Sequence, residues 1–218
     1  PESTTISNLS ALVLLTTNSQ LQIQLTSTAM TSRNEWQLQS DWRFLIYNQN
    51  TYGLGTGPSP LTYGVTIGGW GETAAISGGQ PMDFNLVRIH QTVLKRVVAQ
   101  LYLGGGYRLD RYYGIVDKDL DLSASPPVVT SHYAYSRIYG FDTAEYTVSG
   151  LSLDALYDSR DSTINAYRGY YGHAAFRFNP TWLGSSQTST LLYGEFRAYV
   201  GLCDEVPRNV LAFWLIAQ

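Results

Sequence analysis

The chain has 218 residues and a formal net charge of −3, and only 14% of its residues are charged, against roughly 25% in ordinary soluble domains. The near-neutral charge and the lack of a Lys/Arg-rich stripe argue against a nucleic-acid-binding surface, and the single cysteine, Cys203, excludes an internal disulfide. Aromatic residues reach 13%, and 17 residues are tyrosine, a composition that suits a surface meeting both lipid and water or a tyrosine-rich soluble β protein.

No segment approaches the roughly 20 consecutive apolar residues that a membrane helix needs. Apolar and polar residues instead alternate, which is typical of β-strands with two different faces. From Trp36 to Ile46, for example, Gln37, Gln39, Asp41 and Arg43 lie opposite an apolar set. In chain order, the pattern predicts strands over residues 5–16, 21–29, 36–46, 84–97, 101–110, 151–158, 170–179, 192–202 and 209–217.

The connections between these strands differ in length. On one side of the predicted sheet the connections are short turns, near residues 32–34, 99–100, 161–167 and 204–209. The other side carries two long segments, 48–83 and 117–143, together with the shorter connections 17–19 and 181–187. Short turns on one side and long loops on the other are typical of outer-membrane barrels, in which the short turns are periplasmic. No amphipathic helix is predicted.

The strands are long enough to favour a transmembrane β-barrel over a soluble β-sandwich. Tilted membrane strands need about 9–11 residues, whereas strands in globular proteins have a usual length of about 5–6. About nine strands is an odd number, although bacterial single-chain barrels have even numbers. We therefore expect residues 1–218 to be a single all-β, antiparallel barrel domain, incomplete at both ends, which further strands or partner chains close.

One segment resembles a known family. Gly150-Leu-Ser-Leu-Asp-Ala-Leu-Tyr-Asp-Ser-Arg-Asp161, followed by Arg168-Gly169, resembles the BamA/TamA-type bacterial surface antigen family, in which a strand ending in Asp-x-Arg-Asp leads through a short turn to a glycine. The segments 52–55 and 101–107 also resemble elements of that family. The chain departs from it at the turn, where residues 163–167 lack the usual proline, and it lacks the Arg-Gly-Phe/Tyr loop in its usual place.

The resemblance implies a barrel of about sixteen strands in the outer membrane of a Gram-negative bacterium. The implied function is insertion of other barrel proteins into that membrane, or translocation of proteins across it. Its implied partners are the lipid bilayer, unfolded outer-membrane client proteins and other subunits of an outer-membrane complex, but not nucleic acid. A passive pore, a structural barrel subunit and an outer-membrane hydrolase remain as alternatives.

Two groups of residues are singled out. The family motif at the periplasmic turn comprises Asp158, Arg160, Asp161 and Gly169; its charges are expected chiefly to pair and hold the turn, with a role in assembly as the alternative. A second group is expected to line the lumen: Asp41, Arg43, Arg108, Asp110, Asp154, His173, Arg177, Glu195 and Arg197.

The sequence predicts no catalytic, cofactor or metal site, and we expect the protein not to be an enzyme. A hydrolase would use a histidine such as His173 with a serine and an aspartate, but the chain has no Gly-x-Ser-x-Gly element. Phosphate-binding glycine loops lead into a helix whose N-terminal amides hold the phosphate. The glycine-rich segments 53–57 and 104–106 precede no predicted helix, so they are not predicted to bind phosphate.

Overall fold

The computed structural model describes residues 4–52, 74, 78–202 and 209–218. Within these ranges the chain is built around nine strands in one antiparallel sheet, and each strand pairs with its neighbours in sequence. The strands are β1 (Asn8–Leu15), β2 (Leu21–Met30), β3 (Trp36–Thr51), β4 (Gln80–Val98), β5 (Leu101–Asp117), β6 (Glu145–Asp158), β7 (Gly169–Asn179), β8 (Ser189–Gly201) and β9 (Val210–Ala217).

The prediction of an all-β fold with nine antiparallel strands is confirmed. In the described residues β1 and β9 are the two edges of the sheet, which is not closed into a barrel. One end of the sheet, called the turn end, carries the connections 31–35, 99–100 and 159–168. The opposite end, called the loop end, carries the connections 16–20, 118–144 and 180–188, and β3 ends and β4 begins there.

One face of the sheet, called the apolar face, exposes large hydrophobic side chains. Leu153 on β6 lies opposite Gly105 and Phe176, and Phe176 lies opposite Leu192. Residues opposite each other in an antiparallel pair share a face, so this row continues across four strands. Leu153 is 71% exposed and Leu192 is 70% exposed, so no part of the described chain covers this face.

The other face, called the polar face, carries the hydrophilic positions of the alternation. Asp41 lies opposite His90, and His90 lies opposite Arg108. The largest buried apolar cluster is also on this face: Leu94, Tyr102 and Leu156 pack with partly buried neighbours near the turn end. Since Leu94 and Leu156 are 0% and 2% exposed, the sheet must curl around them.

Aromatic side chains form a row on the polar face at the loop end. Tyr47, Phe84, Tyr112 and Tyr146 follow one another across β3 to β6, with ring centroids 6.0, 5.8 and 4.8 Å apart. Adjacent rings at these distances attract each other beyond simple burial. Apolar and aromatic side chains therefore lie near both ends of the polar face, and its charged side chains lie between them.

The segment 117–143, predicted as a loop, contains a helix that sequence reasoning missed. This helix, α1 (Ser131–Tyr139), begins after Thr130, whose side chain accepts a hydrogen bond from the Tyr133 amide, and ends at Gly140. It has only nine residues, and a helix this short depends on tertiary packing rather than on its own propensity. No helix in the described part of the chain is long and apolar enough to cross a membrane.

Several strands extend beyond their predicted bounds. β3 continues to Thr51 and β4 begins at Gln80, because these two residues pair with each other although their surroundings show no alternation. The segments 53–55 and 53–57, Cys203 and residues 204–208 of the last predicted turn lie outside the described residues.

Candidate functional site

The nine residues predicted to line a lumen share the polar face. They lie on β3, β5, β6, β7 and β8, at positions that the strand register places on one side of the sheet. Seven of them join Arg88 and His90 in a set that we call the charged belt: Asp41, Arg43, Arg88, His90, Arg108, Asp110, Asp154, His173 and Arg177.

Asp110 on β5 is one centre of the charged belt. Its carboxylate accepts hydrogen bonds from Arg88 Nε at 2.6 Å and Arg177 Nη1 at 3.0 Å, and it lies 3.0 Å from His90 Nε2. The Asp110 side chain is only 9% exposed. Charge-assisted bonds of this kind compensate for the cost of burying the carboxylate.

Asp154 on β6 is the second centre, and its side chain is fully buried. It accepts hydrogen bonds from Arg108 Nη2 at 2.9 Å and from Ser152 Oγ at 2.5 Å, and lies 3.1 Å from His173 Nε2. These contacts link β5, β6 and β7 on the polar face, so both buried carboxylates act as cross-strand ties.

The belt reaches β3 through Asp41. Arg43 donates two hydrogen bonds to the Asp41 carboxylate, at 2.7 and 2.8 Å. Arg88 Nη1 lies 4.0 Å from Asp41 Oδ2 while Arg88 Nε holds Asp110. Arg88 therefore bridges the carboxylates of β3 and β5, and the belt crosses five strands.

Glu195 and Arg197 form a separate pair on β8, tied to the edge strand β9. Arg197 Nε donates to Glu195 Oε1 at 2.6 Å, and Trp214 Nε1 donates to the same oxygen at 2.8 Å. The Arg197 guanidinium lies 4.9 Å from the Trp214 ring and 5.1 Å from the Tyr171 ring, and the Arg160 guanidinium lies 4.8 Å from the Tyr171 ring. A chain of cation–π contacts thus connects the turn after β6 with β9.

The family motif closes the turn between β6 and β7. Arg160 donates to the Asp158 carboxylate through Nε at 2.9 Å and Nη2 at 2.7 Å. Asp161 accepts from the backbone amides of Tyr167 and Arg168, at 2.9 and 3.3 Å. These contacts support the expectation that the motif charges pair and hold the turn.

Backbone donors also affect the protonation of the motif. The amide of Tyr167, and after it that of Arg168, hold the pKa of Asp161 below its ordinary value. A lowered carboxylate pKa stabilises the turn above the ordinary pKa, and this stabilisation is lost as the pH falls through the lowered value. The turn is therefore expected to loosen only in acid.

Gly169 is expected to be indispensable to this turn. Its φ is +105°, and an added Cβ would lie 2.4 Å from the Ser159 carbonyl oxygen. Gly169→Ala should reduce the free energy of unfolding by about 1–3 kcal/mol, because a side chain at this φ is strained. Gly194→Ala is the matched control, since a Cβ there meets no atom within 4 Å. Denaturant midpoints measure both, and equal midpoints would contradict the assignment.

The histidines do not form the arrangement of a serine hydrolase. His132 Nδ1 lies 2.8 Å from Asp117 Oδ2, and the other two histidines contact aspartates of the belt. In a catalytic triad the histidine stands between serine and carboxylate, but here Ser152 donates to Asp154 directly and His173 contacts the same carboxylate. No hydrogen bond found between described residues joins a serine hydroxyl to a histidine ring.

The described residues hold no group of three or more His, Cys, Asp or Glu side chains that could bind a metal ion.

Sequence reasoning missed four residues that the site uses. Arg88 and His90 alternate with Val87 and Ile89 on β4, so the same parity rule that found Asp41 could have found them. Tyr171 has the same parity as His173 and Arg177 on β7, so alternation indicates its face but not its cation–π role, whereas β9 is apolar at both parities and gives no signal for Trp214.

Comparison with protein-family models, with curated proteins and with solved structures finds no match for this chain. The resemblance to the BamA/TamA-type family therefore depends on the motif residues and stays a prediction.

Proposed function

We propose that this chain is part of the wall of a transmembrane β-barrel in the outer membrane of a Gram-negative bacterium. The observation that carries the proposal is the apolar face, on which Leu151, Leu153 and Tyr157 of one strand are 53%, 71% and 42% exposed. Soluble monomers rarely expose contiguous apolar patches larger than a few hundred Å². Lipid covers such a face, while the polar face turns toward the lumen.

The width of the apolar face supports this assignment. On β5 the face is free of charge from Leu101 to Leu109, and Arg111 is its first charged residue toward the loop end. Nine residues agree with the roughly 9–11 that a tilted strand needs to cross the hydrocarbon layer. Near the turn end, Lys95 Nζ lies 5.3 Å from the Trp36 ring, a pair suited to the boundary between lipid and water.

Strand direction limits how the barrel closes. β1 and β9 run the same way, because eight antiparallel steps separate them. An antiparallel barrel therefore closes only with an odd number of further strands, and seven would complete the sixteen that the family resemblance implies. A second copy in the same membrane orientation would place its β1 parallel to β9.

The barrel's proposed activity is insertion of other barrel proteins into the membrane, or translocation of proteins across it. The support is the turn carrying Asp158, Arg160, Asp161 and Gly169, whose motif resembles that family and whose contacts make a closed, specific turn. The proposed mechanism is physical: an edge strand pairs with an incoming client segment, while a locally thinned bilayer lowers the barrier to insertion. Its proposed partners are the bilayer, unfolded client proteins and other subunits of an outer-membrane complex.

A reconstituted folding assay tests the activity. Vesicles containing the protein should raise the rate at which an unfolded client barrel becomes folded, measured by its altered mobility on unheated gels. Vesicles containing an unrelated barrel protein control for general disturbance of the bilayer. A rate equal to that of the control vesicles would overturn the proposal.

A structural barrel subunit is the second candidate, and the charged belt favours it. The belt's carboxylates are buried and bonded within the wall, with Asp154 fully buried and Asp110 only 9% exposed. Such a wall suits an interior filled by side chains better than a water-filled channel. Planar-bilayer conductance distinguishes a filled structural barrel from a passive pore, because a passive pore gives steady ion currents and a filled barrel does not.

A further inference from the structure

A row of polar side chains crosses the apolar face on β2 to β5. Ser27 lies opposite Ser40, and Ser40 lies opposite Gln91. Gln91 lies opposite Tyr107, which in turn lies opposite Leu151 of the apolar face. Residues opposite each other share a face, so these polar side chains interrupt the surface that we propose to contact lipid. We call Ser27, Ser40 and Gln91 the polar row.

The polar row lies at the middle of the apolar face. On β4, Gln91 is four residues from Lys95, which lies near the turn end. On β5, Tyr107 is four residues from Arg111, the first charged residue of this face toward the loop end. The row is therefore equally far, along the strands, from both charged boundaries. In a membrane barrel this depth is the centre of the hydrocarbon layer, where no water supplies hydrogen bonds.

Hydrogen bonds within the wall use only part of the Gln91 carboxamide. Ser40 Oγ donates to Gln91 Oε1 at 2.8 Å, and Gln91 Nε2 donates to the Gln39 carbonyl at 3.0 Å. A carboxamide has two N–H donors and two acceptor lone pairs. Since no other described residue bonds to this carboxamide, one donor and one acceptor position are left for a group outside the sheet.

A second carboxamide matches the two positions that are left. The amide N–H of one copy donates to the carbonyl oxygen of the other, and the second copy makes the same bond in return. Two copies related by a two-fold axis along the membrane normal bring one Gln91 against the other, and this symmetry satisfies both amides at once. Lipid tails carry neither donor nor acceptor, so lipid at this spot would leave both positions unsatisfied.

The neighbours of the polar row suit a close contact between two barrel walls. Ser27 and Ser40 are small, and small residues let membrane-embedded segments approach closely. Exposed apolar side chains flank the row, two toward the turn end and two toward the loop end: Leu38, Val93, Trp42 and Ile89. The contact thus has a hydrogen-bonding centre with apolar side chains around it.

We propose that two copies of this protein associate in the membrane through the polar row, with the Gln91 carboxamides hydrogen-bonded to each other across a two-fold axis. The proposal rests on the proposed function, because an incompletely bonded amide is costly in hydrocarbon and not in water.

Cysteine cross-linking of the protein in lipid vesicles tests the dimer. Each variant carries one new cysteine in a background where Cys203 is replaced by serine, and a short bifunctional maleimide joins cysteines that lie close together. Val93→Cys places the label beside the polar row, on the same face as Gln91. Leu192→Cys lies on the same face but on β8, and it controls for random collisions.

The Val93→Cys protein should be cross-linked to a dimer, and the Leu192→Cys protein should not. Adding Gln91→Leu should lower the dimer fraction by about tenfold, because it removes both hydrogen bonds between the copies. Gln39→Leu is the matched control: it makes the same substitution on the polar face and keeps the backbone carbonyl to which Gln91 donates, so the dimer fraction should not change.

The absence of a dimer at Val93, or an equal dimer fraction with and without Gln91→Leu, would overturn the proposal. Flotation of the vesicles on a density gradient distinguishes this failure from failure of the proposed function. Protein that floats with the vesicles and is not cross-linked contradicts the dimer alone. Protein that does not float contradicts both the membrane barrel and the dimer.

Discussion

Leu153→Arg is expected to reduce the free energy of unfolding in lipid vesicles by about 2–4 kcal/mol, the cost of an arginine near the middle of a barrel's lipid-facing surface. Leu153 is 71% exposed, lies on the apolar face and has Leu151 and Tyr157 nearby on the same strand. In water, a surface substitution at so exposed a position would change stability by less than about 0.5 kcal/mol. The size of the effect therefore reports the medium that covers this face.

Ile164→Arg provides the matched control. Ile164 is 76% exposed, as open as Leu153, but it lies in the turn between β6 and β7 and not on the apolar face. Its substitution should leave the denaturant midpoint within the error of the native value. Equal effects at the two positions would contradict a lipid-facing surface. Denaturant titration of vesicle-bound protein, followed by tryptophan fluorescence, measures both.

Asp154→Ala is expected to destabilise the protein by about 3–5 kcal/mol, the usual cost of breaking a buried ion pair by removing one partner. The substitution leaves the Arg108 guanidinium without its carboxylate, and it removes the acceptor of Ser152 and the partner of His173. The same titration measures the effect.

Two variants separate the lone charge from general loss of packing. Arg108→Ala combined with Asp154→Ala removes both charges and should cost less than Asp154→Ala alone. Glu145→Ala breaks the exposed pair with Arg111, whose side chains are about half exposed, and should cost at most about 1 kcal/mol. A double variant less stable than Asp154→Ala would contradict the role assigned to the buried pair.

Alternation predicts the strands well because it is local. On β6, the odd positions from Leu151 to Tyr157 are mostly large and apolar while Ser152 and Asp154 oppose them, so the strand and its two faces follow from neighbouring residues. The face of each lumen-lining candidate was predictable for the same reason. The Asp158–Arg160 pair was predictable as well, since its partners are two residues apart.

Partners across the sheet were not predictable in this way. Arg177 and Asp110 meet across 67 residues of chain, and their contact depends on the register of β5, β6 and β7, which no local pattern encodes. The beginning of β4 at Gln80 is set by pairing with β3, and α1 is stabilised by tertiary packing rather than by its own propensity. Such features need long-range contacts, which periodicity does not reveal.

The most direct test of the central claim, that the apolar face contacts lipid, is spin labelling of β6 from residue 151 to residue 157. Each position receives one nitroxide label in a background where Cys203 is replaced by serine, and collisions with oxygen and with a water-soluble nickel complex are measured in vesicles. Labels at Leu151, Leu153, Ala155 and Tyr157 should collide often with oxygen and rarely with nickel. Frequent collision with nickel at Leu153 would mean that water covers this face, and would contradict the membrane barrel.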